Sequence, residues 1–249
     1  MSGSITLENR FGVNKMELIS LKYGIFVIAL LVLYYCFPKK YRWYVLLAGS
    51  MAYYVIICKW YVLFIIFTIC TTYGSTIWID KLLKEQNAIV KSHKEDWDRQ
   101  TRKEYKEKGR KKRVAVMLFA LLCNFGILAF LKYIPYAGEL GLLLPLGISF
   151  YTFQSMGYVM DVYREIVEPE KNFLKVALFV SFFPQIIQGP IAIYDKLAGQ
   201  LYEGHSLRLE NLQKGALLVL WGVMKKLVIA DRAVNIINLV MDKPMDFSG

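Results

Sequence analysis

Long apolar blocks joined by short basic turns dominate the chain. Residues 60–79, "WYVLFIIFTICTTYGSTIWI", run for twenty positions without a charge, and residues 114–131, "VAVMLFALLCNFGILAFL", for eighteen. A helix needs about 20 apolar residues to cross the hydrocarbon core of a bilayer, so both blocks predict spanning helices, over 60–80 and 114–134. Further apolar stretches lie at 18–37 (broken by Lys22), 42–58, 140–162, 174–194 and 212–230, the last carrying Lys225 and Lys226. The pattern predicts an all-α, polytopic membrane helical bundle of six or seven segments, built as one membrane domain over residues 1–249.

The pattern changes after residue 134. Pro145 and Gly147 fall early in the fifth segment, and the sixth, "FVSFFPQIIQGPIAIY", holds Pro184, Gln185, Gln188, Gly189 and Pro190. Proline removes a backbone donor and disrupts the preceding turn. Broken backbone at membrane depth survives where it is buried in protein or lines a wet cavity. Residues 182–191 are therefore predicted as a broken or re-entrant helix in the protein interior, the alternative being a plain proline-kinked span. No internal repeat is visible.

Charge adds orientation. The formal net charge is +11, and residues 81–113 hold thirteen Lys/Arg against six Asp/Glu. Basic loops stay cytoplasmic, which makes 81–113 a basic cytoplasmic loop. Counting back places the "CKW" turn at 58–60 outside, the basic "PKKYR" turn at 38–42 inside and the N-terminus outside. The run "KEDWDRQTRKEYKEKGRKKR" mixes both signs at helical spacing and lacks interleaved aromatics. It predicts a solvated helix near anionic head groups, with membrane lipids and not nucleic acid as its partner.

Composition narrows the class further. The chain is 56% hydrophobic, more than an ordinary soluble domain carries. Residues 1–16 are polar and the first apolar block is followed directly by others, so no cleavable signal peptide is expected. Cys36, Cys58, Cys70 and Cys123 fall in or beside apolar blocks without CxxC or Cys/His spacing, which predicts neither disulfide nor zinc.

The segment "GISFYTFQSMGYVMDVYRE" (147–165) concentrates the polar chemistry. On a helix Tyr151, Gln154, Ser155, Tyr158, Asp161 and Val162 follow i, i+3, i+4, i+7 steps and share one face. Tyr151, Gln154, Tyr158 and Asp161 then form a polar stripe leading to Arg164. Polar side chains inside a membrane either face a water-filled path or act as contacts between helices, and the sequence leaves both open. Lys225 and Lys226 precede Asp231 by six and five positions, too far for a close α-helical pair, and are expected to reach the interface. The histidines, His93 and His205, fall in polar connectors and are expected to be ordinary surface residues. No GxxxxGK[ST], GxSxG or HExxH pattern occurs, so local motifs name no reaction.

Four stretches in order, "LLLPLGISFYTFQSMGYVMDVYRE", "FVSFFPQIIQGPI", "GVMKKLVIADR" and "DFSG", resemble the membrane-bound O-acyltransferase family, in particular its bacterial alginate O-acetylation branch. The matching positions are Pro145 to Phe150, Asp161 to Arg164, Phe183 to Pro190 and Lys225 to Asp231. The resemblance implies acyl transfer from a thioester donor to a hydroxyl, in a helical bundle of a bacterial cell membrane pierced by a tunnel. It implies acetyl-CoA or an acyl carrier protein as cytoplasmic donor and no bound cofactor. It also implies an exported polysaccharide or cell-wall glycan as acceptor, and an extracytoplasmic acetylation partner protein. The family's catalytic histidine follows the "FSG" motif, which here ends at Gly249, so its counterpart is expected beyond Gly249. The chain is accordingly expected to be the N-terminal part of such an enzyme, inactive alone, with no catalytic residue assigned within it. Tyr151, Gln154, Tyr158, Asp161, Arg164, Gln185 and Gln188 are then the residues expected to line or shape the tunnel. D-alanyl transfer to teichoic acid, a non-catalytic membrane scaffold and a transporter are the alternatives.

Overall fold

The computed structural model describes residues 21–93, 96–133, 145–234 and 237. The expected N-terminal orientation, residues 140–144 of the fifth segment and the "DFSG" motif that ends at Gly249 lie outside them. Among the described residues every element is helical. They are α1 (Leu21–Cys36), α2 (Arg42–Cys58), α3 (Val62–Ser92), α4 (Arg99–Tyr133), α5 (Ile148–Tyr163), α6 (Phe173–Ser181), α7 (Phe183–Gln188), α8 (Tyr194–Tyr202) and α9 (Leu209–Met224). A π-helical turn, Lys225–Ala230, follows α9.

The two long helices set the frame. At 31 and 35 residues, α3 and α4 extend about 46 and 52 Å, against a hydrocarbon core of about 30 Å. Each therefore reaches beyond the membrane. The basic run 81–113, which the sequence presents as a loop, is largely the paired projecting arms of these helices, turned between residues 93 and 98. Gln86 Nε2 donates to the Lys106 carbonyl across the arms at 3.1 Å. Gly109 permits that approach, because a Cβ there would run into the Gln86 side-chain amide. At the tip the Trp97 ring lies between His93 (4.9 Å) and Tyr105 (5.1 Å).

Within the membrane portion, one face of α3 is buried and rich in small polar residues: Ile65, Thr68, Ile69, Thr72, Ser75, Thr76 and Ile79. Small side chains let helix backbones approach closely where no hydrophobic effect drives association. Thr71 receives a bond from Asn124 Nδ2 of α4 at 2.9 Å. The opposite surfaces carry bare apolar side chains, including Phe119 (64% exposed) and Leu122 (73%). No other described residue covers them, and their hydropathy fits lipid, which makes this a helical membrane protein.

Residues 173–202 do not cross the bundle. α6 enters, Phe182 breaks the helix with φ −59° and ψ 105°, and α7 continues to Gly189. At its deep end Ile186 packs against Gly147, which caps the start of α5. That point lies about 24 Å along the 16-residue α5 from its other end at Tyr163. The chain then turns back through Pro190–Ile193. Tyr194 stacks on Tyr158 at 4.1 Å, and the Tyr202 hydroxyl donates to the Lys175 carbonyl at 2.8 Å. The first turn of α6 and the last turn of α8 thus meet at one level. Beyond them, the His205 amide donates to the Tyr34 hydroxyl at 3.3 Å, and Arg42 Nη1 donates to the His205 carbonyl. Arg42, Arg164 and the α3–α4 arms share this side, so the segment is re-entrant.

α9 and its π-helical turn bury no residue among those described. The "KKLVIA" stretch occupies this π-turn, where the Asp231 amide donates to the Lys226 carbonyl. The i+5 separation that an α-helix would splay is therefore one turn here.

Candidate functional site at the helix break

Helix α5 carries the polar stripe, and the structure turns it inward. Tyr151, Gln154, Ser155 and Tyr158 are buried, whereas Phe150 and Phe153 on the other face are exposed. Gly147 starts this helix in the left-handed region at φ +69°. A Cβ there would collide with the Ile186 carbonyl, so glycine is required on both counts.

Gln154 and Ser50 repair the break. In an unbroken helix the Phe183 N–H would bond the Phe179 carbonyl. Instead, Gln154 Nε2 donates to the Phe179 carbonyl at 2.8 Å, and the Phe183 N–H donates to Ser50 Oγ at 3.4 Å. Pro184 fits because it stands in the first turn of α7, where a missing N–H loses no helical partner. Phe183 anchors the new direction among Tyr23, Phe26 and Tyr53, with ring centroids at 6.2, 5.3 and 5.5 Å.

The other residues singled out by sequence spread along the same helix pair. Tyr151 meets Tyr54 edge-on at 6.3 Å. The Tyr158 hydroxyl accepts from the Glu170 amide at 2.8 Å, which fixes the loop leading into α6. Asp161 is half-buried and forms no ion pair among the described residues. Arg164 is exposed in the cap of α5. Gln185 is half-buried, and its Oε1 has no hydrogen-bond partner among the described residues. Gln188 ends α7, and its side chain lies outside the described residues. Ser155 Oγ and Ser181 Oγ, on α5 and α6, are also buried without a partner. Buried polar atoms without partners are uncommon, and three of those among the described residues stand on the helices flanking this one break.

His93 and His205 are exposed, as expected of connector residues. The His93 ring contacts Trp97 and the Ile89 carbonyl, and the His205 ring contacts the Gln200 carbonyl. Cys36, Cys58, Cys70 and Cys123 are free thiols. Sequence reasoning missed Ser50, whose sole signal is a small hydroxyl within the apolar α2. It also missed Glu165, which adjoins the polar stripe yet reads as one more surface charge.

A helical membrane bundle with a re-entrant, proline-broken segment is the class that fold and site define. The chain resembles the membrane-bound O-acyltransferases, as its similarity to glycan O-acetylating enzymes bears out. It is 30% identical over 170 residues to the peptidoglycan O-acetyltransferase of Helicobacter pylori, covering 53% of this chain and 32% of that protein. It is 40% identical over 89 residues to the "Probable alginate O-acetylase AlgI" of Pseudomonas syringae pv. tomato, covering 36% of this chain and 17% of that protein. The protein of the same name in Pseudomonas putida is 34% identical over 114 residues, or 46% and 22% of the two chains. The matches thus span about a third or less of those relatives. No family model matches the chain, and no solved structure matches it.

Proposed function

We propose that the protein is part of a membrane O-acetyltransferase that esterifies hydroxyls of an exported glycan, a polysaccharide or peptidoglycan. Similarity to relatives named for those two activities supports the reading. The structural observation that carries it is the re-entrant segment 173–202, with its break held open by Gln154 and Ser50. Such a segment brings backbone and amide groups to membrane depth, where they can border a passage sealed from lipid.

In this reading the α3–α4 arms face the cytoplasm, and a thioester donor, acetyl-CoA or an acyl carrier protein, arrives on that side. The acceptor oxygen attacks the thioester carbonyl carbon. The C–O bond forms, the C–S bond breaks, and the acceptor proton passes through a base to the departing sulfur. A histidine of the kind the resemblance implies is that base; His93, at the tip of the arms, and His205, exposed at the rim of a cavity that Phe182, Phe183 and Pro184 also line, are not assigned to it. Excluding water from the passage protects the thioester from hydrolysis.

The test is deletion of the gene, followed by mild alkaline release of ester-bound groups from cell wall and exopolysaccharide. Loss of acetate, restored by the wild-type gene, supports the reading. Unchanged acetate overturns it, and loss of ester-linked D-alanine instead would assign the related teichoic acid reaction.

A further inference from the structure

The projecting arms of α3 and α4 enclose an open cleft of about 1030 Å³, closed at its membrane end by Arg113 and Glu165. Its lining includes six Lys/Arg and three Asp/Glu. On α4 the cations Arg99, Lys103, Lys106, Arg110 and Arg113 follow one another at steps of four, three, four and three residues. That spacing places all five on one helix face, the face that lines the cleft. Like charges at such spacing repel, so the stripe weakens the bare helix. Compensation is sparse. Arg110 has Glu107 at 3.9 Å, and Arg113 Nη1 donates to Glu165 Oε1 at 2.7 Å, while Arg99, Lys103 and Lys106 form no ion pair among the described residues.

Arg113 distinguishes this cleft from an ordinary solvated face. It is only 8% exposed, and its Nε has no hydrogen-bond partner among the described residues. A guanidinium holds a planar fork of donors suited to a phosphate or carboxylate. Here one nitrogen is engaged by Glu165, and Nε is buried without a hydrogen-bond partner in a side chain that lines the cleft.

We propose that this cleft binds a phosphate-bearing anion, with Arg113 as its innermost ligand and the α4 cations along its length. The α4 wall from Arg99 to Arg113 is about 21 Å long, much longer than one head-group phosphate. An elongated ligand with several phosphates, such as the nucleotide end of coenzyme A, matches both its length and its charge. A cationic cleft also concentrates anions from solution, an effect that salt screens. If the ligand is the thioester donor, the proposal rests on the acetyltransferase reading; binding and transfer are measured separately, so either can fail alone.

The experiment is calorimetric titration of the full-length protein in detergent with coenzyme A, adenosine bisphosphate and pantetheine, at low and high salt. Retention of phosphatidylglycerol is measured in parallel by native mass spectrometry. Arg113→Gln and the double variant Lys103→Gln/Lys106→Gln are compared with wild type. The double variant alters exposed side chains and keeps the test valid if Arg113→Gln fails to fold. The expected result is that the two phosphorylated probes bind, pantetheine does not, and either variant weakens binding roughly tenfold, about 1.4 kcal/mol. Retention of phosphatidylglycerol lost in the variants, without coenzyme A binding, supports the phosphate site and assigns it to a lipid head group. Binding of every probe unchanged in both variants, or no probe binding together with phosphatidylglycerol retention that the variants leave unchanged, overturns the proposal.

Discussion

Gln154 supplies to Phe179 the hydrogen bond that the backbone itself gives up at the break. Its Nε2 donates to the Phe179 carbonyl at 2.8 Å, while the Phe183 N–H, the helical partner of that carbonyl, turns to Ser50 Oγ. Both side chains are buried. Gln154→Leu preserves approximate volume and removes the donor, leaving a buried carbonyl unpaired at a cost of about 1–3 kcal/mol. Gln154→Glu should be at least as damaging, because an ionised carboxylate cannot donate. Thermal unfolding in detergent checks this. A Gln154→Leu protein that melts with wild type would show that the break does not depend on the bond.

Gly147 and Gly157 stand on the same helix and should respond oppositely to alanine. At Gly147 the left-handed φ of +69° and the Ile186 carbonyl both exclude a Cβ. The backbone strain alone costs about 1–2 kcal/mol, and displacing α7 adds to it. At Gly157, nothing lies within 4 Å of the new methyl group. Relief of glycine's backbone entropy there should gain about 0.5–1 kcal/mol. Melting temperatures of the two variants are the measurement, and equal shifts would contradict the packing described between α5 and α7.

Much of this was legible in the chain because membrane burial writes itself in periodicity and proline. The α5 stripe at i, i+3, i+4 and i+7 correctly identified the buried face through Tyr151, Gln154, Ser155 and Tyr158. Pro184 and Pro190 marked the broken helix. The partners that make the break stable were not legible. Ser50 lies 133 positions from Phe183, and nothing local distinguishes it from any serine in an apolar helix. The basic run 81–113 read as a loop holding one solvated helix over 94–113; that helix is present from Arg99, but its continuity with the spans was hidden because hydropathy reports where a helix leaves lipid, not where it ends. The two arms continue because their residues are good helix formers and pack on each other through Gln86 and Gly109. Arg113 likewise looks like the last of many surface charges until the fold buries it.

Glu165 occupies a position that glycine usually fills. Its φ is +62°, and α5 ends in a Schellman pattern, with the Ile166 amide on the Asp161 carbonyl at 3.0 Å and the Glu165 amide on that of Val162 at 3.1 Å. A side chain in this conformation costs about 1–2 kcal/mol. The charge-assisted bond to Arg113 offsets the strain, contributing about 1.5–3 kcal/mol. Glu165→Gly should therefore be mildly destabilising, because it relieves strain but leaves the buried guanidinium unpaired. Adding Arg113→Leu should recover stability, since no charge is then stranded. Denaturation of the two singles and the double decides this, and a Glu165→Gly protein more stable than wild type would mean that strain outweighs the ion pair.

The re-entrant path makes a prediction about sidedness. If residues 173–202 enter and leave on one face, Lys171 and Glu203 must be accessible from the same side as Lys111 on the α4 arm. Trp60, in the turn between α2 and α3, must be accessible from the other. Single cysteines at these four positions, in a protein whose Cys36, Cys58, Cys70 and Cys123 are replaced, can be labelled with a membrane-impermeant maleimide. The positive-inside asymmetry of residues 81–113 gives the absolute expectation. Trp60→Cys should react in intact cells, and Lys111→Cys, Lys171→Cys and Glu203→Cys only after permeabilisation. Reversal of all four would invert the orientation and leave the fold intact. Lys171→Cys and Glu203→Cys reacting from opposite sides would mean that the segment crosses the membrane. The break at Phe182 would then be a kink in a span, and the interior passage would lose its structural basis.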